Sequence, residues 1–258
     1  MIPLKEQEYI KQRFGQELEG KVKIDFFTQK ASMLIVPGRE ECVTCEEAGK
    51  LIDEVSALSE KILLNTHEFA DAGEEAQKLS VDKVPALVLR GPANRPVRFF
   101  GVPGGNEFPN FIETIIELSK TQVVLPAETA RQLKKIKDKS TIDVYVTPTC
   151  PHCPGVVRAA FRLAQASAQI EVSATEIGEF PRIAQQLSIR AVPFIVINKE
   201  AALAGAVDEA CLVEAVQQHV SGAAGATPSQ SGATTEAGPP PGPPPSSSPS
   251  PSGLILPR

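Results

Sequence analysis

The sequence predicts an α/β protein that contains two copies of one unit, each a central mixed sheet flanked by helices. The first observation behind this prediction is a repeated cysteine motif, because Cys42-Val-Thr-Cys45 recurs 108 residues later as Cys150-Pro-His-Cys153. The second observation is a Val-Pro pair, which recurs at the same offset as Val84-Pro85 and Val192-Pro193. The cysteine motif and the Val-Pro pair are thus the same number of residues apart in both halves. Since the two motifs are dissimilar, we infer a single fold present in two copies.

Helices are predicted directly after each cysteine motif. Apolar residues there lie three and four positions apart, which is typical of an amphipathic helix. They are Ala48, Leu51, Ile52, Val55 and Leu58 in the first half, and Val156, Val157, Ala160, Phe161 and Leu163 in the second.

Short runs of β-branched residues predict the strands. Ile142–Val146 is the strand before the second motif, and we assign the corresponding strand of the first half to Met33–Val36, with another apolar run at Val22–Phe27. In each half, a buried strand follows the Val-Pro pair and a terminal helix completes the unit. The strand and helix are predicted at 86–89 and Glu107–Lys120 in the first half, and at 194–197 and Asp208–Val220 in the second.

The chain divides into three segments, with units at 1–120 and 121–220 and a tail at 221–258. The tail differs from the rest in composition, since 24 of its 38 residues are Pro, Gly or Ser and it contains no aromatic residue. A segment of this kind buries too little apolar surface to offset its conformational entropy. We therefore expect the tail to be disordered.

Charge and composition exclude several classes of protein. The net charge of −5 and the pI of about 5.4 argue against nucleic-acid binding. No apolar run reaches the length of a membrane span, and residues 1–16 lack the apolar core of a signal peptide. Five cysteines are too few for a disulfide-stapled secreted scaffold. We expect a cytoplasmic protein without nucleic-acid or membrane partners.

The cysteine motifs are predicted to be redox sites. Unpaired N–H groups at a helix N-terminus favour an anion, so Cys42 and Cys150 are expected to be the attacking thiolates. Cys45 and Cys153 lie one turn further on, where each can attack the mixed disulfide and release the partner.

The Val-Pro pairs are predicted to bind substrate beside the cysteines. An X-Pro bond is the peptide bond for which the cis form costs little. A cis proline at Pro85 or Pro193 would turn the backbone of Val84 or Val192 towards an extended substrate peptide.

Both halves resemble the thioredoxin and glutaredoxin superfamily. The segment Thr147-Pro-Thr-Cys150-Pro-His-Cys153-Pro154 is similar to its glutaredoxin-like form. The tandem arrangement, with Phe100-Gly-Val-Pro-Gly-Gly-Asn-Glu-Phe108 ending the first unit, resembles the protein disulfide oxidoreductases of thermophilic archaea and bacteria. Over residues 1–220, the resemblance implies two thioredoxin-like folds, thiol–disulfide exchange by redox-active disulfides without a further cofactor, and reduction by a thioredoxin-reductase-type flavoprotein.

The two motifs are expected to differ in reactivity. The first motif lacks the proline that the second has at Pro151, and four glutamates flank it at 40, 41, 46 and 47. These carboxylates should raise the pKa of Cys42, whereas His152 could stabilise the Cys150 thiolate. We expect the second site to dominate.

Two other functions stay open at this point. The chain could be a dedicated electron carrier from a flavoprotein to a peroxiredoxin, although the family's version of that arrangement keeps only one Cys-x-x-Cys. It could also be a non-catalytic scaffold in which the four motif cysteines bind structural zinc. Cys211 has no partner at motif spacing, and we expect it to be a small buried residue of the last helix.

Overall fold

A computed structural model describes residues 2–30 and 41–220, and both halves of this region carry the same succession of elements. The first half contains α1 (Leu4–Glu17), β1 (Val22–Thr28), α2 (Cys45–Ser56), β2 (Ile62–Glu68), α3 (Gly73–Lys78), β3 (Ala86–Arg90), β4 (Val97–Phe100) and α4 (Glu107–Leu118). The second half contains α5 (Ala127–Leu133), β5 (Ser140–Val146), α6 (Cys153–Ala166), β6 (Ile170–Glu176), α7 (Pro181–Gln186), β7 (Phe194–Ile197), β8 (Ala201–Ala204) and α8 (Glu209–Val220). The predicted repeat of an α/β unit is confirmed.

These strands form one mixed sheet in the order β2-β1-β3-β4-β6-β5-β7-β8. In each unit the first two strands are parallel, and the following hairpin begins with a strand antiparallel to its neighbour. The units join where β4 pairs in parallel with β6, from Val97 opposite Val172 to Phe100 opposite Thr175. Backbone hydrogen bonds therefore connect the two units directly.

Strand β1 shows how the sheet divides the apolar core. Successive side chains of a strand point to opposite faces. Ile24 and Phe26 pack into the main core with residues of α1, α2, α4 and α6, whereas Phe27 packs on the other face with Leu79 and Phe100. The main core therefore extends through both units.

Helices α4 and α6 pack against each other across the boundary between the units. Ile115 and Ile116 of α4 and Leu163 of α6 are at most 1% exposed in this core. Each such side chain contributes about 1.5–3 kcal/mol when it leaves water. The interface between the units is thus stabilised by side-chain packing as well as by the sheet.

In the described part of the first unit, the strand that pairs with its neighbours as β5 does in the second unit is not the predicted run. It is β1, at Val22–Thr28, and Met33–Val36 lies outside the described residues. Strand β1 ends 14 residues before Cys42, whereas β5 ends 4 residues before Cys150. The first unit therefore has a longer connection at this point, and counting back from the cysteines selects the wrong run.

The two units are connected by residues 119–126, between α4 and α5. The predicted boundary after residue 120 falls inside this connection and stays a prediction. The tail at 221–258 lies outside the described residues. No helix within the described ranges has the length and apolar character that a membrane span requires.

Candidate active sites

The first cysteine motif lies beyond the carboxyl end of β1, where α2 begins at Cys45. Cys42 and Cys45 form a disulfide with their Cα atoms 5.5 Å apart. Gln29 contacts both residues. Its side-chain Oε1 accepts a hydrogen bond from the backbone N–H of Cys42 at 2.8 Å, and its backbone N–H points at Sγ of Cys45 at 3.3 Å. Cys45 is buried and Cys42 is only half-buried, so an incoming group reaches Cys42 first.

The second motif has the same backbone arrangement after β5, but its first cysteine, Cys150, is buried at 7% exposure. Cys150 and Cys153 form a disulfide with a Cα–Cα distance of 5.5 Å, and α6 begins at Cys153. The N–H of Cys153, at the free N-terminus of the helix, points at Sγ of Cys150 over 3.1 Å. This N–H can stabilise a thiolate on Cys150 once the disulfide is reduced. In both motifs the helix begins at the second cysteine, so the first lies in the turn before it.

Both Val-Pro bonds, Val84-Pro85 and Val192-Pro193, are cis. Val84 lines the same cavity as Cys42, and the carbonyl oxygen of Val192 lies 3.7 Å from Sγ of Cys150. The structure therefore brings each Val-Pro pair beside the first cysteine of its motif. A role of these residues in binding substrate stays a prediction.

A glycine at the end of each β-hairpin is hydrogen-bonded to the cis proline that precedes the hairpin. The N–H of Gly101 donates to the carbonyl of Pro85 at 2.8 Å, and that of Gly205 to the carbonyl of Pro193 at 3.0 Å. Both glycines have positive φ, +101° and +97°, which other residues rarely adopt. A Cβ on Gly101 would also lie 2.9 Å from Cβ of Glu176 in the second unit.

Pro151 and His152 are exposed in the turn before α6. His152 lines a separate cavity of about 560 Å³ that includes neither cysteine of the motif. Their proposed support of the Cys150 thiolate therefore stays a prediction.

The second unit contributes a carboxylate to the first site, which sequence reasoning missed. A cavity of about 770 Å³ adjoins Cys42 and is lined in part by Glu179 and Phe180. Glu179 accepts hydrogen bonds from the hydroxyl of Thr44, inside the first motif, and from the N–H of Val102, the latter at 2.6 Å. The first site is thus built from both units.

The first unit has a buried carboxyl group next to the residue that contacts the loop before the second motif. Glu107 is 2% exposed at the start of α4, and the N–H of the preceding Asn106 donates to the carbonyl of Pro148 at 2.9 Å. Burial raises the pKa of Glu107 to about 7, against the opposing effect of a hydrogen bond from Asn110. Its Oε1 has no hydrogen-bond partner among the described residues. Glu107 can therefore hold or release a proton near neutral pH.

A second buried carboxylate lies in the middle of β1. Asp25 is fully buried and contacts His67 at 3.0 Å, Asn65 at 3.1 Å and the guanidinium of Arg90. Burial alone would raise the pKa of Asp25, but these hydrogen bonds outweigh it and lower the pKa. The charge is compensated inside the fold, which indicates a structural role.

The expectation that Cys211 is buried is wrong. Cys211 is an exposed free thiol near the start of α8, and its N–H donates to Asp208 at 2.9 Å. A separate hydrogen bond between the Cys211 side chain and Asp208, together with partial burial, raises the pKa of the thiol. A raised pKa reduces the thiolate fraction, so this cysteine lacks the activation expected of a nucleophile.

Comparisons with known proteins agree with this geometry. Residues 140–217 match the family model described as thioredoxin domain. A thioredoxin from Methanocaldococcus jannaschii is 35% identical over 83 residues, which are 32% of this chain and 98% of that protein. The chain belongs to the thioredoxin family. The family model matches residues of the second unit.

Solved structures extend the thioredoxin-family likeness to both units. A protein disulfide oxidoreductase from Aeropyrum pernix aligns with a TM-score of 0.74 and 25% identity, over 85% of this chain and 94% of that one. The N-terminal domain of the alkyl hydroperoxide reductase AhpF from Enterococcus faecalis has the same fold, with a TM-score of 0.73 and 22% identity over 84% and 100% of the two chains.

Longer proteins also match. The alkyl hydroperoxide reductase AhpF of Pseudomonas aeruginosa is 26% identical over 183 residues, or 70% of this chain. A Bacillus subtilis NADH dehydrogenase is 24% identical over 61% of this chain. The chain spans only about a third of the length of these relatives, at 33% and 29%.

The chain is thus a homologue of protein disulfide oxidoreductases, with two thioredoxin-like units and one Cys-x-x-Cys disulfide in each. Within residues 2–30 and 41–220, no three His, Cys, Asp or Glu side chains form a cluster suited to a metal ion.

Proposed function

We propose that this thiol–disulfide oxidoreductase exchanges disulfides with protein substrates through Cys42/Cys45 and Cys150/Cys153. The observation that carries the proposal is a constellation that occurs twice: a Cys-x-x-Cys disulfide at a helix start beside a cis Val-Pro bond. The alignment with a protein disulfide oxidoreductase over both units supports the same conclusion.

The reaction at the second site needs only the two sulfurs and their surroundings. The reduced Cys150 thiolate attacks a substrate disulfide, forming a mixed disulfide and releasing one substrate thiolate, which takes up a proton from water. The Cys153 thiol then loses its proton to water and attacks Sγ of Cys150, which breaks the mixed disulfide and releases the second substrate thiolate to be protonated in turn. Two electrons pass from the protein dithiol to the substrate, and the Cys150–Cys153 disulfide forms.

The backbone before each cis proline is proposed to bind the substrate. An extended peptide that pairs with an exposed backbone segment gains hydrogen bonds irrespective of its side chains. The carbonyl of Val192, 3.7 Å from Sγ of Cys150, is positioned to orient a peptide for attack by that sulfur. Val84 is proposed to act in the same way beside Cys42.

A flavoprotein of the thioredoxin-reductase type is the proposed source of electrons. The 35% identity to a thioredoxin supports this partner, and the thioredoxin-domain family model, which matches residues 140–217, favours the second site as its point of entry. A second candidate function is electron transfer to a peroxiredoxin, which the match to the alkyl hydroperoxide reductase AhpF over 70% of this chain favours.

Insulin reduction with NADPH and a thioredoxin reductase tests the proposal. We expect turnover by the full chain, loss of most activity in Cys150→Ser, and retention of a substantial fraction in Cys42→Ser. Cys211→Ser is the matched control, because it removes a cysteine outside both motifs, and it should leave turnover unchanged. Absence of insulin reduction by the unaltered protein would contradict the proposal.

The peroxiredoxin alternative is separated by adding hydroperoxide and a peroxiredoxin to the same reductase system. A carrier dedicated to that partner would sustain rapid hydroperoxide consumption while reducing insulin slowly. Comparable rates with both acceptors would support the general exchange activity.

A further inference from the structure

The two sites differ in charge at corresponding positions. The residue before the first cysteine of the motif is Glu41 in one site and Thr149 in the other. Three positions before the cis proline stands Asp82 in the first unit and Arg190 in the second. The two units therefore present opposite charge beside otherwise similar disulfides.

Carboxylates dominate the cavity beside Cys42. Among the described residues, Glu41, Asp82 and Glu179 line it, together with one ammonium group, that of Lys83. That ammonium lies 2.8 Å from the Asp82 carboxylate and 3.7 Å from the ring centre of Phe100, so it already has two partners. The described residues that line the cavity therefore carry an excess of negative charge.

Two further carboxylates extend this negative surface along the first turn of α2. Glu46 and Glu47 are exposed there, and Glu46 pairs with Lys50 at 2.6 Å. The apolar part of the surface comes from Val43, 91% exposed between the two cysteines, and from Phe180 in the cavity wall. A partner that fits this surface is apolar next to its sulfur and positively charged around it.

The sequence around Cys150 lacks this concentration of carboxylates. No Asp or Glu lies within three positions of Cys150 in the sequence, and in the described part of the chain His152 and Arg190, near the motif and the cis proline of this unit, are exposed. In the cavity that His152 lines, Arg162 contacts Glu209 at 2.6 Å, and Asp208 accepts the N–H of Cys211. The same cavity also contains Arg158, which pairs with Glu117 at 2.6 Å.

We propose that the two sites divide their substrates by charge, with the Cys42 site selecting disulfides flanked by positive charge and the Cys150 site selecting those flanked by negative charge. This inference rests on the proposed exchange function. A mixed disulfide brings the substrate's charges within a few ångströms of the cavity carboxylates, so opposite charges stabilise it and like charges oppose it. Two or three partly screened pairs predict that the preference for the cationic over the anionic disulfide differs about tenfold between the two sites at low ionic strength.

The test uses full-length chains with one live site each, all carrying Cys211→Ser. Cys150→Ser/Cys153→Ser leaves the first site, and Cys42→Ser/Cys45→Ser leaves the second. Each protein is reduced, freed of reductant and mixed with cystamine, dithiodipropionate or hydroxyethyl disulfide, which are cationic, anionic and neutral. In each exchange the live dithiol becomes a disulfide and the probe is cleaved to two thiols, which alkylation at timed intervals measures.

The decisive quantity is the cystamine-to-dithiodipropionate rate ratio at the first site divided by that at the second. The intrinsic reactivities of the probes cancel in this quotient. We expect a quotient of about 10, equivalent to about 1.4 kcal/mol, which falls towards 1 in about 0.5 M salt. Asp82→Asn should lower the ratio at the first site. Glu60→Gln makes the same charge change before β2, at the amino ends of the parallel strands β1 and β2 rather than at the carboxyl ends where the first motif lies, and it should not lower the ratio.

Each outcome bears on a separate claim. If neither site reacts with the neutral probe, the exchange function itself fails. If the neutral probe reacts at both sites and the quotient is 1 at low salt, the exchange function stands and selection by charge is overturned. A first site that reacts with no probe, beside an active second site, also overturns it.

Discussion

Replacing Glu107 by Gln should change how the stability of the protein depends on pH. Burial raises the pKa of this carboxyl group to about 7 from an ordinary value of 4.5. Between these pH values the unfolded chain ionises Glu107 while the folded protein keeps it protonated, so the free energy of unfolding falls as pH rises. The interval corresponds to about 3 kcal/mol, all of it lost above pH of about 7. Glutamine cannot ionise and escapes this loss.

Denaturant unfolding of both proteins at intervals from pH 5 to pH 8.5 measures the effect. The free energy of unfolding of Glu107→Gln minus that of the unaltered protein should increase by about 2.5 kcal/mol across this range, since part of the loss already occurs below pH 5. The buried amide group of the glutamine adds a cost of its own, but that cost does not vary with pH and cancels in the comparison. Carboxyl NMR of Glu107 gives the pKa directly.

A constant difference between the two proteins from pH 5 to pH 8.5 would refute the reasoning, because Glu107 would then titrate alike in the folded and unfolded chains. Glu60→Gln removes an exposed carboxylate and is the matched control. Its difference from the unaltered protein should stay nearly flat over the same range.

Three further predictions concern stability and the thiol count. Asp25→Ala should lower the free energy of unfolding at pH 7 by about 3–5 kcal/mol in denaturant titrations, because Arg90 and His67 lose their buried anion. Since the pKa of Asp25 is lowered in the fold, its stabilisation is lost as pH falls below about 4, where the cost of the substitution should shrink. Truncation after Val220 should leave the melting temperature and insulin turnover nearly unchanged, and a drop of more than a few degrees would show that the tail packs on the body. Thiol titration of the oxidised, denatured protein should find one free thiol, Cys211; five free thiols, or tightly bound zinc, would contradict the redox assignment.

The repeat and its redox motifs were predictable because they depend on local spacing. A Cys-x-x-Cys before an amphipathic helix and a Val-Pro pair before a strand are short-range patterns, and each appears twice. Local spacing did not identify β1 as the strand that corresponds to β5, because the connection between β1 and Cys42 differs in length from that between β5 and Cys150. Asp25 of β1 lies at the sheet position that Asp143 occupies in β5. It was overlooked because β1 was not recognised as the strand that corresponds to β5.

The contacts between the units could not be read from spacing, because they join residues distant in sequence. Glu179 and Thr44 are 135 positions apart, and nothing near either residue indicates the other. Glu107 did leave a signal. It occupies the same helical stripe as Asn110, Phe111 and Thr114, all buried, so the periodicity of α4 places a carboxyl group in the core.

The pairing of β4 with β6 also limits how electrons can move between the two disulfides. Domains on a flexible tether can swing together, but here a ladder of backbone hydrogen bonds sets the separation of the two sulfur pairs. Separating the units would leave two bare strand edges, which readily pair with foreign chains. A molecule that carries electrons from one disulfide to the other must therefore cover a fixed distance, because the units cannot move to bring their sulfur atoms together.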